Sequence, residues 1–87
     1  MDLSSAFGEV VKARRQGRGW SQAQLAEAAG LHHNYVSLVE RGRTWPALDT
    51  LQSLAAAFQC ELSELIAEAE AQLRAVPANQ RAVERKG

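Results

Sequence analysis

The chain has 87 residues, with ten Lys or Arg and ten Asp or Glu side chains, so its formal net charge is zero. This length fits one domain and leaves no room for a second hydrophobic core. A content of 46% hydrophobic and 23% charged residues is typical of a folded chain and excludes the disordered and collagen-like classes.

Apolar residues recur at helical spacing along nearly the whole chain, and no alternating run predicts a strand. The first helix is predicted over residues 5–16. Its apolar stripe consists of Leu3, Phe7, Val10 and Val11. Gly8 inside this helix costs about 1 kcal/mol relative to alanine, so we expect packing at this position to compensate. Gly17 ends the helix.

The second helix has the clearest start signal in the chain. Ser21 and Gln24 have the spacing of a capping box, and Trp20 and Leu25 have that of a hydrophobic staple. Gly30 is a typical left-handed C-terminal stop. We therefore predict a short helix that begins after Ser21 and ends at Gly30.

Three further helices follow. The third begins at His32 or His33 and ends at Arg41, and a turn at Pro46 then leads to the fourth. The apolar stripe of the fourth helix consists of Leu48, Leu51, Leu54, Ala55 and Phe58. The stripe of the fifth consists of Leu62, Leu65, Ile66, Ala69, Leu73 and Val76.

Pro77 ends the fifth helix and divides the chain into two parts. Residues 1–76 are predicted to form one all-α domain of five helices. Residues 78–87 contain only one apolar side chain larger than alanine, so we expect residues 77–87 to form a flexible tail.

Charge is distributed unevenly despite the zero total. Residues 12–18 hold four basic side chains and no acid, whereas residues 61–70 hold four acids and no base. This contrast predicts one basic and one acidic surface, so that a polyanion can bind the first. Two ordinary solvated helix faces are the alternative interpretation.

The second and third helices are short and are joined through Gly30 and Leu31, which is the arrangement of a helix-turn-helix. In such a pair, the N-terminus of the first helix faces the phosphate backbone. The second helix projects its N-terminal residues into the major groove.

Three stretches, residues 21–31, 35–42 and 46–51, carry a closer resemblance. The matching positions within them are Ser21, Gln22, Leu25, Ala26, Gly30, Val36, Ser37, Glu40, Gly42, Pro46 and Leu51, and Arg15 matches before the first stretch. Over residues 7–66 the chain resembles the lambda-repressor-like (Xre-type) helix-turn-helix family. Its size also resembles that of restriction–modification controller proteins and small phage-type repressors.

The resemblance implies roles for individual residues. The base-contacting residues it implies are His33, Asn34, Tyr35, Ser37 and Leu38. The phosphate contacts it implies are Gln22, Arg18, Arg41 and Arg43. Arg15 and Glu40 match the family's structural ion pair. Asn34 can pair with adenine, and Leu38 can contact a thymine methyl group.

The sequence departs from the family at three helix caps. The first of these positions is commonly Ser, Thr or Asp in the family and is His32 here. The other two are usually Ser or Thr and are Ala47 and Glu61 here. Two side chains near them admit two interpretations. Tyr35 packs either against the sugar–phosphate backbone or over the core. Trp45 is interpreted as a packing residue, and stacking on a ligand is its alternative.

The fifth helix carries an apolar stripe that is longer than the edge of a four-helix core needs. We therefore predict a homodimer with the interface Leu62, Leu65, Ile66, Ala69 and Leu73. The alternative is that Leu73 and Val76 fold back onto the first helix. A dimer would place two recognition helices about 34 Å apart on an inverted repeat.

Several classes of protein and site are excluded by the residues present. No apolar run approaches the ~18 residues of a membrane span, and no basic start precedes an apolar segment as in a secretory signal. The single cysteine, Cys60, fits a reducing cytoplasm and is predicted to be a small buried side chain. His32 and His33 make a poor metal pair, and we expect no metal, no cofactor and no enzymatic activity.

These observations predict a cytoplasmic regulator of transcription that binds double-stranded DNA. The resemblance implies repression, often of the regulator's own gene. The alternative is an antitoxin or co-regulator whose main ligand is a protein partner, bound through the acidic fifth helix.

Overall fold

The computed structural model describes residues 1–75, which form five α-helices and no strand. The helices are α1 (Leu3–Gly17), α2 (Gln22–Ala29), α3 (His33–Glu40), α4 (Leu48–Ala57) and α5 (Leu62–Ala75). The predicted all-α class with five helices is therefore confirmed. Val76, the boundary at Pro77 and the tail predicted over 77–87 lie outside the described residues. No helix within 1–75 has the length and apolar character needed to cross a membrane.

Helix α1 begins earlier than its apolar spacing predicts because Asp2 caps it. The Asp2 carboxylate accepts a hydrogen bond from the backbone N–H of Ser5 at 2.9 Å. This bond holds the pKa of Asp2 below its ordinary value, since it stabilises the ionised carboxylate. The start of α1 is thus an ordinary N-cap.

Gly8 lies where α1 crosses the C-terminal end of α3. A Cβ atom at Gly8 would lie 2.4 Å from the carbonyl oxygen of Val39 and 2.7 Å from that of Glu40. Any larger residue would push the two helices apart. The expected compensation for a glycine inside a helix is therefore this close approach of two backbones.

The start and the end of α2 agree with the sequence pattern. The Ser21 hydroxyl accepts from the Gln24 backbone N–H at 3.1 Å, and the Gln24 side-chain oxygen accepts from the Ser21 backbone N–H at 2.7 Å. Gly30 follows with a left-handed φ of 70°. Both predicted signals, the capping box and the glycine stop, are confirmed.

The core is made by all five helices. Its largest fully buried side chains are Phe7, Val11, Leu25, Val36, Val39, Pro46, Leu54 and Leu65. The predicted stripe of α4 is wrong at Leu48, which is 63% exposed because it stands at the first turn of the helix. Pro46, just before the helix, is buried instead.

The predicted dimer interface on α5 is wrong for two of its five residues. Leu65 and Ala69 have no exposed surface, because α5 packs along α1 and turns these side chains into the core of its own chain. Leu62, Ile66 and Leu73 are partly buried against the same core. The apolar stripe of α5 therefore packs mainly into the core of its own chain. Of the five predicted interface residues, Leu62, Ile66 and Leu73 keep some exposed surface that a partner can contact.

Candidate nucleic-acid interface

Helix α3 buries one side and exposes the other. Val36 and Val39 belong to the core, whereas His33 and Asn34 in the first turn are exposed. Ser37 is half-buried, and Leu38 is among the exposed large hydrophobic side chains. The fold thus brings these four predicted base-contacting side chains together on one short helix. Tyr35, the fifth, is half-buried and packs against the core, as its alternative interpretation expects.

The start of α3 is fixed by a histidine rather than by the usual hydroxyl or carboxylate. The Nδ1 atom of His32 accepts a hydrogen bond from the backbone N–H of Asn34 at 3.1 Å. An imidazole nitrogen therefore does what a Ser or Thr oxygen does at most N-caps. The sequence pattern showed this position only as a departure, so the cap itself was missed.

A buried carboxylate joins α1, α2 and α3. Glu40 accepts from Arg15 at both oxygens, with Nε to Oε2 at 2.6 Å and Nη2 to Oε1 at 3.1 Å. The remaining Arg15 Nη1 donates to the carbonyl oxygen of Trp20 at 2.8 Å, in the turn before α2. The predicted ion pair between Arg15 and Glu40 is thus present in the structure.

Gln22 connects the start of α2 to this carboxylate. Its Nε2 atom donates to Oε1 of Glu40 at 3.0 Å. A side-chain amide has two N–H donors, so the bond to Glu40 leaves one donor for another acceptor. The position of α3 relative to the N-terminus of α2 therefore depends directly on Gln22 and Glu40.

The basic stretch 12–18 does not form a separate basic surface, which corrects the predicted division into a basic and an acidic face. Arg14 pairs with Glu68 of the acidic helix α5, with Nε to Oε1 at 3.0 Å. Arg15 forms its ion pair with Glu40. The acidic helix packs against the basic stretch and neutralises part of it.

Arg18 has an intramolecular role that its predicted phosphate contact did not include. Its Nη2 atom donates to the carbonyl oxygen of Phe58 at 2.7 Å. The guanidinium also lies over the ring of Trp20, 5.2 Å from the centroid, and Trp20 stacks on Phe58. Arg18 thus ties the turn before α2 to the end of α4.

Arg41 and Arg43 are exposed just after α3, beyond its C-terminal end. The Nε atom of Arg41 donates to the carbonyl oxygen of Ser37 at 3.3 Å, and Gly42 between the two arginines has a φ of 71°. This left-handed turn ends α3 and leaves both guanidinium groups at the same end of the helix.

Three further residues for which the sequence made a prediction lie outside the helices α2 and α3. Trp45 packs edge-on against Phe7, with ring centroids 5.2 Å apart, although part of its surface stays exposed. Cys60 is half-buried, and burial raises the pKa of its thiol. Ala47 caps α4 without any side-chain hydrogen bond. Within the described residues, no group of three or more His, Cys, Asp or Glu could hold a metal ion.

Comparison with known proteins agrees with this geometry. A family model described as helix-turn-helix matches residues 11–65, which include α2 and α3. The chain belongs to the lambda-repressor-like (Xre-type) helix-turn-helix family. Members of this family are DNA-binding regulators of transcription, so the predicted family is confirmed.

Three similar proteins illustrate the match. The control protein C.SmaI of Serratia marcescens is 38% identical over 66 residues, which are 76% of this chain and 79% of that protein. The transcriptional regulator PuuR of Escherichia coli is 38% identical over 69 residues, 79% of this chain but only 37% of its own length. The crystal structure of the restriction-modification controller protein C.AhdI of Aeromonas hydrophila superposes with a TM-score of 0.68 at 38% identity, covering 70% of this chain and 92% of that one.

Proposed function

We propose that this protein is a sequence-specific transcriptional repressor that binds an inverted-repeat operator as a homodimer. The observation that carries the proposal is the division of α3 into a buried side and an exposed polar N-terminal side. An α-helix fits the major groove of DNA, where each base pair presents a distinct pattern of donors and acceptors. Helix α3 has the length, the exposure and the side chains for that position.

The proposed base contacts follow from the chemistry of the exposed side chains. The Asn34 amide can donate to N7 and accept from N6 of adenine, and the Leu38 side chain can contact a thymine methyl group. His33 and Ser37 offer a donor or an acceptor to neighbouring base edges. Tyr35 is left out of this set, because its half-buried side chain packs against the core.

The proposed phosphate contacts lie at both ends of the helix pair. Gln22 has one amide N–H left for a phosphate oxygen at the N-terminus of α2, where the helix dipole also favours negative charge. Arg41 and Arg43 carry positive charge beyond the other end of α3. Arg18 is left out of this set because its guanidinium is held by Phe58 and Trp20.

A homodimer follows from the need to contact two half-sites of an inverted repeat. The surface that supports it is the part of α5 that the core leaves uncovered, at Leu62, Ile66 and Leu73. Ile66→Asp should therefore convert a dimer to a monomer in light scattering after gel filtration. Leu48→Asp is the matched control, since Leu48 is exposed outside α5. Loss of the dimer in both variants would contradict the assignment to α5.

DNA binding is tested on a site selected from a random duplex library and on random DNA. Asn34→Ala should cost about 1–3 kcal/mol on the selected site and relax its sequence preference. Arg43→Ala should instead weaken binding to both DNAs and lower the slope of log K against log salt by about 0.9. Arg18→Ala should leave that slope unchanged. Equal losses on both DNAs for Asn34→Ala would refute its base contact.

A further inference from the structure

His32 has one ring nitrogen whose role is already fixed. Its Nδ1 accepts a hydrogen bond from the Asn34 backbone N–H, so this nitrogen carries a lone pair and no proton. A neutral imidazole has one donor and one acceptor nitrogen. The proton of the capping imidazole is therefore on Nε2, because the hydrogen bond at one nitrogen sets the tautomer of the ring.

The Nε2–H group is the part of His32 that the fold leaves unused. The side chain is exposed, and among residues 1–75 no acceptor is bonded to this nitrogen. The ring stands at the same end of α3 as the exposed side chains of His33 and Asn34. The bond at Nδ1 restricts rotation of the ring, so the donor has a preferred direction before any ligand arrives.

We propose that His32 is a further DNA-contacting residue, whose neutral imidazole donates from Nε2–H to a hydrogen-bond acceptor of the operator. The inference rests on the proposed function, since it needs α3 in the groove. The acceptor is an oxygen or nitrogen atom of the DNA, either on a phosphate or on a base edge. One side chain would thus start the recognition helix and bind its target.

Two substitutions separate these two roles. His32→Ser keeps an oxygen that can accept from the helix N-terminus but removes the Nε2–H donor. His32→Ala removes both. His32→Ser should keep the melting temperature of the parent protein and bind the selected site about 3- to 10-fold more weakly, which corresponds to one hydrogen bond. His32→Ala should show the same loss of affinity together with a lower melting temperature.

The outcome on random DNA identifies the acceptor. Equal weakening of the selected and random duplexes by His32→Ser indicates a phosphate, and weakening confined to the selected duplex indicates a base edge. A nitrogen-15 spectrum of the parent protein should show the Nε2–H tautomer in the free state. On addition of the selected duplex, the Nε2–H proton should become protected from exchange with water.

Two results would overturn the assignment, and they differ in what else they affect. If His32→Ser is stable and binds the selected site as tightly as the parent protein, His32 is only a cap and the proposed function stands. If the parent protein itself shows no preference for any DNA sequence, the proposed function falls and the His32 contact falls with it.

Discussion

Helix α1 makes two polar contacts with other helices through neighbouring arginines, and the two contacts differ in burial rather than in geometry. Arg15 and Glu40 join α1 to α3, with 12% and 3% of their side chains exposed. Arg14 and Glu68 join α1 to α5, with 28% and 46% exposed. Each arginine donates two hydrogen bonds to its carboxylate.

The difference shows why similar ion pairs do not contribute similar stability. Water screens an exposed pair, and ordering its long side chains costs entropy, so its net contribution is small. When one partner of a buried pair is removed, the other charge stays buried without compensation. The α1–α3 contact should therefore tolerate little change, whereas the α1–α5 contact should depend mainly on the burial of Leu65 and Ala69.

The largest effect is expected for the buried carboxylate. Glu40→Ala leaves Arg15 without its partner and also removes the acceptor of Gln22, so it should lower the free energy of unfolding by about 3–5 kcal/mol. Urea denaturation followed by circular dichroism measures this change. A loss below about 1 kcal/mol would show that burial does not govern the strength of this pair.

The second-largest effect is expected where the backbone of α1 approaches the backbone of α3. Gly8→Ala places a Cβ atom against the carbonyl oxygens of Val39 and Glu40, so it should cost about 1–3 kcal/mol through overpacking. Gly17→Ala is the matched control, because a Cβ there meets no atom within 4 Å. That variant should be neutral or slightly more stable, since alanine favours helix. Thermal denaturation shows whether each substitution lowers or raises the melting temperature.

A smaller effect is expected at the start of α1, outside both contacts. Asp2→Ala removes the N-cap and should cost about 1 kcal/mol near neutral pH. Because the folded-state pKa of Asp2 is depressed, this stability is complete above its ordinary pKa of 3.8 and is lost as the pH falls through the folded-state value. Asp2→Asn keeps a capping oxygen but does not titrate. The stability difference between the parent protein and Asp2→Asn should therefore change only in this acidic range, in melting curves from about pH 2 to 6.

The smallest effect is expected for the exposed pair. Glu68→Ala should change the free energy of unfolding by no more than about 0.5 kcal/mol, and the difference should shrink further in about 1 M salt. Urea titrations at low and high salt measure both quantities. If Glu68→Ala were as damaging as Glu40→Ala, the comparison between the two arginine pairs would fail.

The features that sequence predicts well in this chain are local. The capping box at Ser21 and the stop at Gly30 depend on residues three or four positions apart, so their spacing is visible directly. The cost of Gly8 and the need for packing to compensate for it were also visible, but the packing partner was not, because the backbone that Gly8 approaches belongs to α3. Likewise, an apolar stripe on α5 does not say which surface covers it, and α1 proved to cover Leu65 and Ala69.

The candidate site was predicted in part. The resemblance selected the side chains of α3, and the fold exposes His33 and Asn34 as expected, while their DNA contacts stay predictions. The partners of Arg14 and Arg18 were not predictable from charge pattern, because they come from helices that follow much later in the chain. His32 was misjudged because an imidazole cap depends on the ring orientation, which no spacing rule contains.

The residues of α3 that anchor the helix in the core differ from those that it exposes. This separation affects how regulators with this fold can diversify. The buried side chains that hold this helix in place are those of Val36, Val39 and Glu40. None of them belongs to the proposed base-contacting set, and exposed positions such as His33 and Asn34 usually accept substitution within about 0.5 kcal/mol of stability. If these exposed residues contact bases as proposed, a lineage can exchange them without losing the folded state, so new DNA preferences can evolve on an unchanged scaffold.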